Sequence, residues 1–262
     1  MTRSAQIHEA LLTVLGDSRL VVLHSALWRF GMHPSGLRED MLAALMRLVD
    51  GGRTLALPAF TFSFTKTGWF HYQQAASETG VLADWLLGVE PSARTPHPVY
   101  SFAVAGPLRE VCAGRRTLGA FGPGTMFELF EREDARIVML GSPWRLCTQV
   151  HRYEELAEVR YRHRKDFAGI ADFGEGQRPV AARLFVRDVA LGSTLTYRPV
   201  FERLRAEGCI AGTSVGRGPV EAIDTREVAR VCLDMLAKDP FALLANAREV
   251  SQRLEEQARA ST

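Results

Sequence analysis

The order strand, helix, strand near the amino end constrains the fold of this chain more than any other feature. Arg19-Leu20-Val21-Val22-Leu23 is a short apolar run of the kind that sits buried between neighbours, and it ends at His24-Ser25. From Leu37 to Val49, apolar residues at Leu37, Met41, Leu42, Leu45, Leu48 and Val49 recur with helical spacing, and the run stops at Gly51-Gly52. Thr54 to Leu57 then reads as a second strand. Such a unit favours parallel pairing through a right-handed crossover, so the fold class is α/β.

The rest of the chain extends that pattern. A short helix at Leu11, Leu12, Val14 and Leu15 closes at Gly16. Ala59-Phe60-Thr61-Phe62-Ser63-Phe64 alternates aromatic and polar, which predicts one apolar face, with Thr61 and Ser63 on the other, and suits a pocket wall. A loop from Thr65 to Glu78 precedes a helix over Val81 to Val89, the turn Pro91-Ser92-Ala93 and a strand over Tyr100 to Val104. Gly119 to Gly124 holds three glycines and a proline and reads as a loop with exposed backbone. A helix over Met126 to Arg132 and a strand over Arg136 to Leu140 lead to Gly141-Ser142-Pro143. A strand over Val180 to Val186 and helices over Pro199 to Ala206, Val228 to Lys238 and Pro240 to Ala258 follow. Residues 1–262 are expected to form a single domain with a smaller substrate-binding subregion at about 155–225.

Composition excludes several classes. With 262 residues, 47% hydrophobic and 24% charged, the chain can bury a large core. A net charge of +2 gives no case for nucleic acid or a membrane surface as partner. The one local excess, Arg160 to Lys165, reads either as a solvated rim or as a phosphate-facing patch. Cys112, Cys147, Cys209 and Cys232 show no CxxC spacing, so neither a disulfide framework nor a zinc site is expected, and a cytoplasmic location fits. The first sixteen residues are amphipathic and lack the apolar region of a secretion signal. Seven histidines show no ligand spacing, so no metal is expected.

The residues most suggestive of chemistry follow Leu146. Cys147-Thr148-Gln149-Val150-His151-Arg152-Tyr153-Glu154-Glu155, if helical, places Thr148, His151, Glu154 and Glu155 on one face, where a carboxylate can orient the imidazole and raise its basicity. A surface ion pair would explain the same residues. Two further segments stand out. His24-Ser25-Ala26-Leu27-Trp28-Arg29 could offer backbone N–H groups and Arg29 to an anion, or hold a capping serine beside a satisfied core histidine. Arg94-Thr95-Pro96-His97-Pro98 holds His97 between two prolines, either as a frame from which Arg94 and Ser101 reach outward or as a rigid turn. Strand ends at Leu23, Leu57 and Leu140 run into polar or Gly/Pro turns, where open α/β sheets collect ligands.

Taken in order, His24-Ser25 with Gly31, Leu57-Pro58-Ala59-Phe60-Thr61, Arg94-Thr95-Pro96-His97-Pro98 with Ser101 and Gly106, Phe121-Gly122-Pro123-Gly124 and Thr148-x-x-His151-x-x-Glu154 resemble the aminoglycoside 3-N-acetyltransferase family. The match is good from Arg19 to Glu155 and thin beyond. It implies a central, mostly parallel sheet flanked by helices, distinct from the small GNAT acetyltransferases. It also implies a CoA-dependent N-acyltransferase, with acetyl-CoA or another acyl-CoA as co-substrate and a small-molecule amine, an aminoglycoside or other amino sugar, as acceptor. The implied catalytic residues are His151, as general base for direct transfer, and Glu154. The implied cofactor contacts are Ser25, Ala26, Leu27, Arg29, Thr61, Arg94, Ser101 and Phe121. A homodimer stays open as the assembly. The segments Ala59 to Phe64 and Arg187-Asp188 look more like members from polysaccharide or natural-product pathways than like the resistance enzymes.

One departure concerns the acceptor. Resistance enzymes of the family carry a further acidic residue in a later helix, whereas the aligned stretch here is Tyr197-Arg198-Pro199-Val200. Arg198 would disfavour a polycation and favour an anionic amino sugar. Two other readings exist: a Ser-His-Glu hydrolase using Ser25 or Ser142, for which the Gly-x-Ser-x-Gly turn is absent, and a non-catalytic CoA- or sugar-binding protein.

Overall fold

A computed structural model describes residues 1–31, 33 and 35–260. In chain order the elements are α1 (Arg3–Leu15), β1 (Leu20–Ser25), a 3-10 turn (Leu27–Phe30), α2 (Leu37–Asp50), β2 (Thr54–Pro58), α3 (Phe64–Thr67), β3 (Trp69–His71), α4 (Val81–Leu87), β4 (Ser92–Arg94), β5 (Phe102–Ala105), α5 (Arg109–Ala113) and α6 (Met126–Arg132). They continue with β6 (Arg136–Leu140), a second 3-10 turn (Trp144–Leu146), α7 (Val150–Leu156), β7 (Arg162–Asp172), β8 (Gln177–Arg187), α8 (Arg198–Ala206), β9 (Ala211–Val215), β10 (Gly218–Asp224), α9 (Thr225–Lys238) and α10 (Ala247–Ala260).

Seven strands form the main sheet in the order β4-β5-β2-β1-β6-β10-β9. The centre is the expected parallel unit: β1 pairs with β2 and with β6 in parallel register. Antiparallel partners flank it, β5 on β2 and β10 on β6, and beyond them β4 and β9 run the same way as the centre. By direction the sheet is therefore mostly parallel, with five strands against two.

Period-two alternation explains why both faces of that sheet are covered. In β1, Leu20 and Val22 face one core while Val21 and Leu23 face the other, and Ile137 and Met139 against Val138 and Leu140 repeat this in β6. The apolar stripes of α1, α2 and α4 cover one face, through residues such as Ile7, Leu11, Met41, Leu45, Leu82 and Leu86. Helices α6, α7, α8 and α9 cover the other, through Phe127, Phe130, Val150, Tyr153, Phe201 and Val228.

A second sheet, β3-β7-β8, is built on an eleven-residue hairpin pairing, Arg162↔Arg187 to Asp172↔Gln177. It meets the main body at the glycine-rich loop, where Ala120 N–H donates to Arg183 O and Arg183 N–H to Leu118 O.

Several elements differ from the sequence expectations. The Ala59–Phe64 alternation is not a strand: Phe60 and Phe64 are buried, Thr61 is buried too, and Phe62 turns out to solvent at 42% exposure. The Pro91-Ser92-Ala93 turn is partly strand β4, and β3 lies within the expected loop. No helix among the described residues is long and apolar enough to cross a membrane, and the four cysteines are free.

Candidate active site

The carboxyl ends of β1, β2 and β6 open into a cavity of about 440 Å³. His24 and Ser25 enter from β1, Leu57 and Pro58 from β2, and Ser142 from the turn after β6; Phe60, Phe62, Thr79, Gly80 and Ala83 form the opposite wall. Gly141 makes this edge: its φ of +70° turns the chain out of β6, and a Cβ there would lie 2.8 Å from the Phe30 ring and 2.9 Å from the Ala26 carbonyl. Both the left-handed backbone and the contact require glycine.

His151 projects into the cavity from the first turn of α7. Its Nδ1 is 2.6 Å from Glu154 Oε2, three residues on, which is the helical neighbour the sequence expectation named. Glu155 does not join the pair; it bonds Arg164 instead. Glu154 is wholly buried and has further partners: the Tyr161 hydroxyl donates to Oε1 at 3.0 Å, Arg162 lies 3.0 Å from Oε2, and the Tyr197 hydroxyl lies 3.4 Å from it. Arg162 and the Tyr197 hydroxyl also each stand 3.0 Å from His151 Nδ1. With Nδ1 so enclosed, Nε2 is the ring nitrogen left for a ligand.

These contacts set the protonation states. Burial and then the Arg162 charge push the His151 pKa below its ordinary value, against the opposing pull of Glu154. Burial would raise Glu154, yet the hydrogen bond from His151 and the charges beside it hold the carboxyl below the usual range. Arg162 is held above its ordinary value: burial works against its charge, and Glu154 outweighs it. Burial, then Glu154, raises the Tyr161 and Tyr197 phenols, so both remain protonated donors. The result at neutral pH is an uncharged imidazole oriented by an ionised carboxylate.

The structure brings only some of the sequence-nominated contacts to this cavity. Ser25 lines it. The Ala26 N–H is engaged with Leu140 O, Leu27 packs half-buried against the core on the α1 and α2 face of the sheet, and Arg29 lies along Trp28 with Nη1 3.4 Å from Gly141 O. Thr61 and Ser101 are buried, their hydroxyls donating to Pro98 O and Ala59 O at 2.7 Å, so they brace the loops rather than face a ligand. Arg94 is 2% exposed and stacks over Phe70 with no hydrogen bond to its buried guanidinium, and it does not line the cavity. Phe121 stands beside His151, its ring 5.5 Å from the imidazole and its carbonyl accepting from Arg152. Arg198 is 80% exposed and paired with Glu202, so the phenol of the preceding Tyr197, not the arginine, faces His151.

Sequence reasoning missed Arg162, Tyr161 and Tyr197. Arg162 was hidden in the cationic run Arg160 to Lys165, of whose charged members only Arg162 is buried. A group that resembles a metal ligand set, Glu207, Cys209 and Glu227, lies elsewhere, and the Arg230 guanidinium already bonds both of its carboxylates.

A family profile described as aminoglycoside 3-N-acetyltransferase matches residues 22–237. Aminoglycoside N(3)-acetyltransferase III from Salmonella sp is 32% identical over 30% of this chain and 28% of its own length. Aminoglycoside N(3)-acetyltransferase IX from Micromonospora chalcea is 27% identical over 61% of this chain and 64% of its own. The matched stretches thus span less than two thirds of either relative. Among solved structures, AAC-IIIb in a binary complex with CoASH superposes with a TM-score of 0.76 at 19% identity, covering 91% of this chain and 97% of that one.

Proposed function

Because the chain belongs to the aminoglycoside 3-N-acetyltransferase family, we propose that it moves an acetyl group from acetyl-CoA to the amine of an amino sugar, with His151 as general base and Glu154 as its partner. The observation that carries this reading is the uncharged His151, anchored at Nδ1 by a buried carboxylate, at the wall of a cavity where three strands end.

The cavity suits a pantetheine arm. Leu57, Pro58, Phe60, Phe62, Ala83 and Leu146 give it apolar walls, while Ser25 and Thr79 offer hydroxyls at its side. Bound acetyl-CoA would supply the activated acyl group. His151 Nε2 would take a proton from the acceptor amine as the nitrogen attacks the thioester carbonyl, and Glu154 would stabilise the resulting imidazolium. The C–S bond would then break to release CoA thiolate, which takes up that proton as the free thiol. The Tyr161 and Tyr197 hydroxyls and Arg162 hold the carboxylate in place for that role. Ser25 and Ser142 line the same cavity, and neither has a hydrogen bond to His151 among the described residues, which supports direct transfer over an acyl-enzyme on serine.

We read residues 1–262 as one acyltransferase domain, whose subregion at about 155–225 supplies Tyr161 and Arg162 to the buried Glu154 carboxylate and Tyr197 to the cavity wall. Free cysteines throughout suit a reducing cytoplasm. The test is His151→Ala assayed by thiol release from acetyl-CoA. Turnover should fall about 10²- to 10⁴-fold while CoA still binds; turnover within a few-fold of the parent would refute the base.

A further inference from the structure

The charges around the cavity bear on what the acceptor carries besides its amine, and this step rests on the acyltransfer reading above. A second cavity of about 400 Å³ adjoins the first and shares Arg145 and Tyr197 with it. Its floor is the Trp144 indole stacked on Phe201 at 4.6 Å, with Nε1 donating to Glu221. Among the described residues only two carboxylates line either cavity, Glu78 and Glu202. They differ in state: Glu202 pairs with Arg198, whereas Glu78, in the first cavity, accepts only the neutral Ser63 N–H on its two oxygens and keeps its charge without a cation partner among the described residues.

Arginine dominates the other side of the balance. Arg198 and Arg205 line the second cavity, each paired, Arg205 with Glu221 at 2.8 Å. Arg145 lines both cavities, is exposed, and has no hydrogen bond or ion pair among the described residues. Among the described residues the lining thus offers one unpaired charge of each sign, Glu78 and Arg145. An acceptor with several ammonium groups would find a single carboxylate and a repelling guanidinium, whereas one carrying an amine and an acid group would meet a partner for each. A phosphate or carboxylate would meet a planar donor fork matched to its oxygens.

We propose that the acceptor is an acidic amine, an amino sugar bearing a phosphate or carboxylate, whose acid group pairs with Arg145 while its amine lies at His151. Tyr197, common to both cavities, separates the two ends.

The test titrates glucosamine 6-phosphate, glucosaminic acid, glucosamine and gentamicin by calorimetry into the protein saturated with CoA, and measures thiol release from acetyl-CoA for each in parallel. Binding reads the charge preference even if none is turned over; thiol release reads the acyltransfer itself. An acidic amine should bind about tenfold more tightly than glucosamine, with gentamicin the weakest. Arg145→Gln should shrink that ratio and Arg145→Glu should invert it. Tightest binding of gentamicin, binding of no acidic amine, or a ratio unmoved by Arg145→Glu would overturn the proposal. CoA is itself anionic, so the variants are also titrated with CoA and with pantetheine. Weakened CoA binding with unchanged pantetheine binding and an unchanged acceptor ratio would assign Arg145 to the cofactor and likewise overturn it.

Discussion

Arg162 touches both His151 and Glu154 with one nitrogen while another donates to Phe185 O. Its charge opposes protonation of His151 and favours ionisation of Glu154, so it widens the pH range over which the imidazole is uncharged beside an ionised carboxylate. Removing that charge in Arg162→Met lets the imidazole pKa rise. The acidic limb of the kcat/KM profile should then move to higher pH, because the base is lost to protonation sooner. A residue that only filled space would lower kcat without moving the limb, and Arg162→Lys should restore part of the shift. The motif Thr148-x-x-His151-x-x-Glu154 made the contact between His151 and Glu154 legible because helical spacing is a local property. Arg162, eleven positions on, is brought in by the hairpin, and nothing in a run of arginines distinguishes the one that turns inward. At Tyr197 the charge of the next residue, Arg198, drew the attention that belonged to the phenol.

Elements were legible where pattern and burial agree. The helix Met126–Arg132, with Thr125 accepting the Glu128 N–H as its cap, and the strand Arg136–Leu140 fall at the expected positions. Strands β7, β9 and β10 gave no such signal. Arg162 to Asp172 carries charge on an exposed face and is stabilised by its long pairing with β8, while Ala211–Val215 is rich in small polar residues. The Phe60-to-Phe64 alternation misled because Thr61 turns inward to bond Pro98 O, so a loop mimics the period of a strand. Turn geometry at this edge yields its own prediction. Gly141→Ala should cost about 1–3 kcal/mol in urea unfolding, since it adds a backbone clash to a left-handed φ. Gly174→Ala, at φ +90° with open space around it, should lose only the conformational part, about 1 kcal/mol.

Across the whole molecule, buried histidines tie stability to pH. His97 is 7% exposed and accepts the Val99 and Tyr100 N–H groups on Nδ1, and burial pulls its pKa down to about 4 against the ordinary 6.5. The unfolded chain therefore binds a proton below pH 6.5 that the folded chain refuses until about 4. Stability rises with pH across that window, and the full contribution, roughly 3 kcal/mol, is present above 6.5 and gone below 4. Burial lowers His24 in the same direction. Urea midpoints between pH 4 and 7 should fall with acidity, and a flat profile would contradict the assignment.

The hairpin that carries Arg162 belongs to the smaller sheet, whereas His151 and Glu154 ride on a helix packed against the larger one. A molecule whose large sheet is complete but whose hairpin has not yet docked would keep its helix, its cavity and its imidazole, and still leave Glu154 without its fixed counter-charge. The charge balance of the His151–Glu154 pair thus depends on the seam between the two sheets as well as on the core that carries its helix.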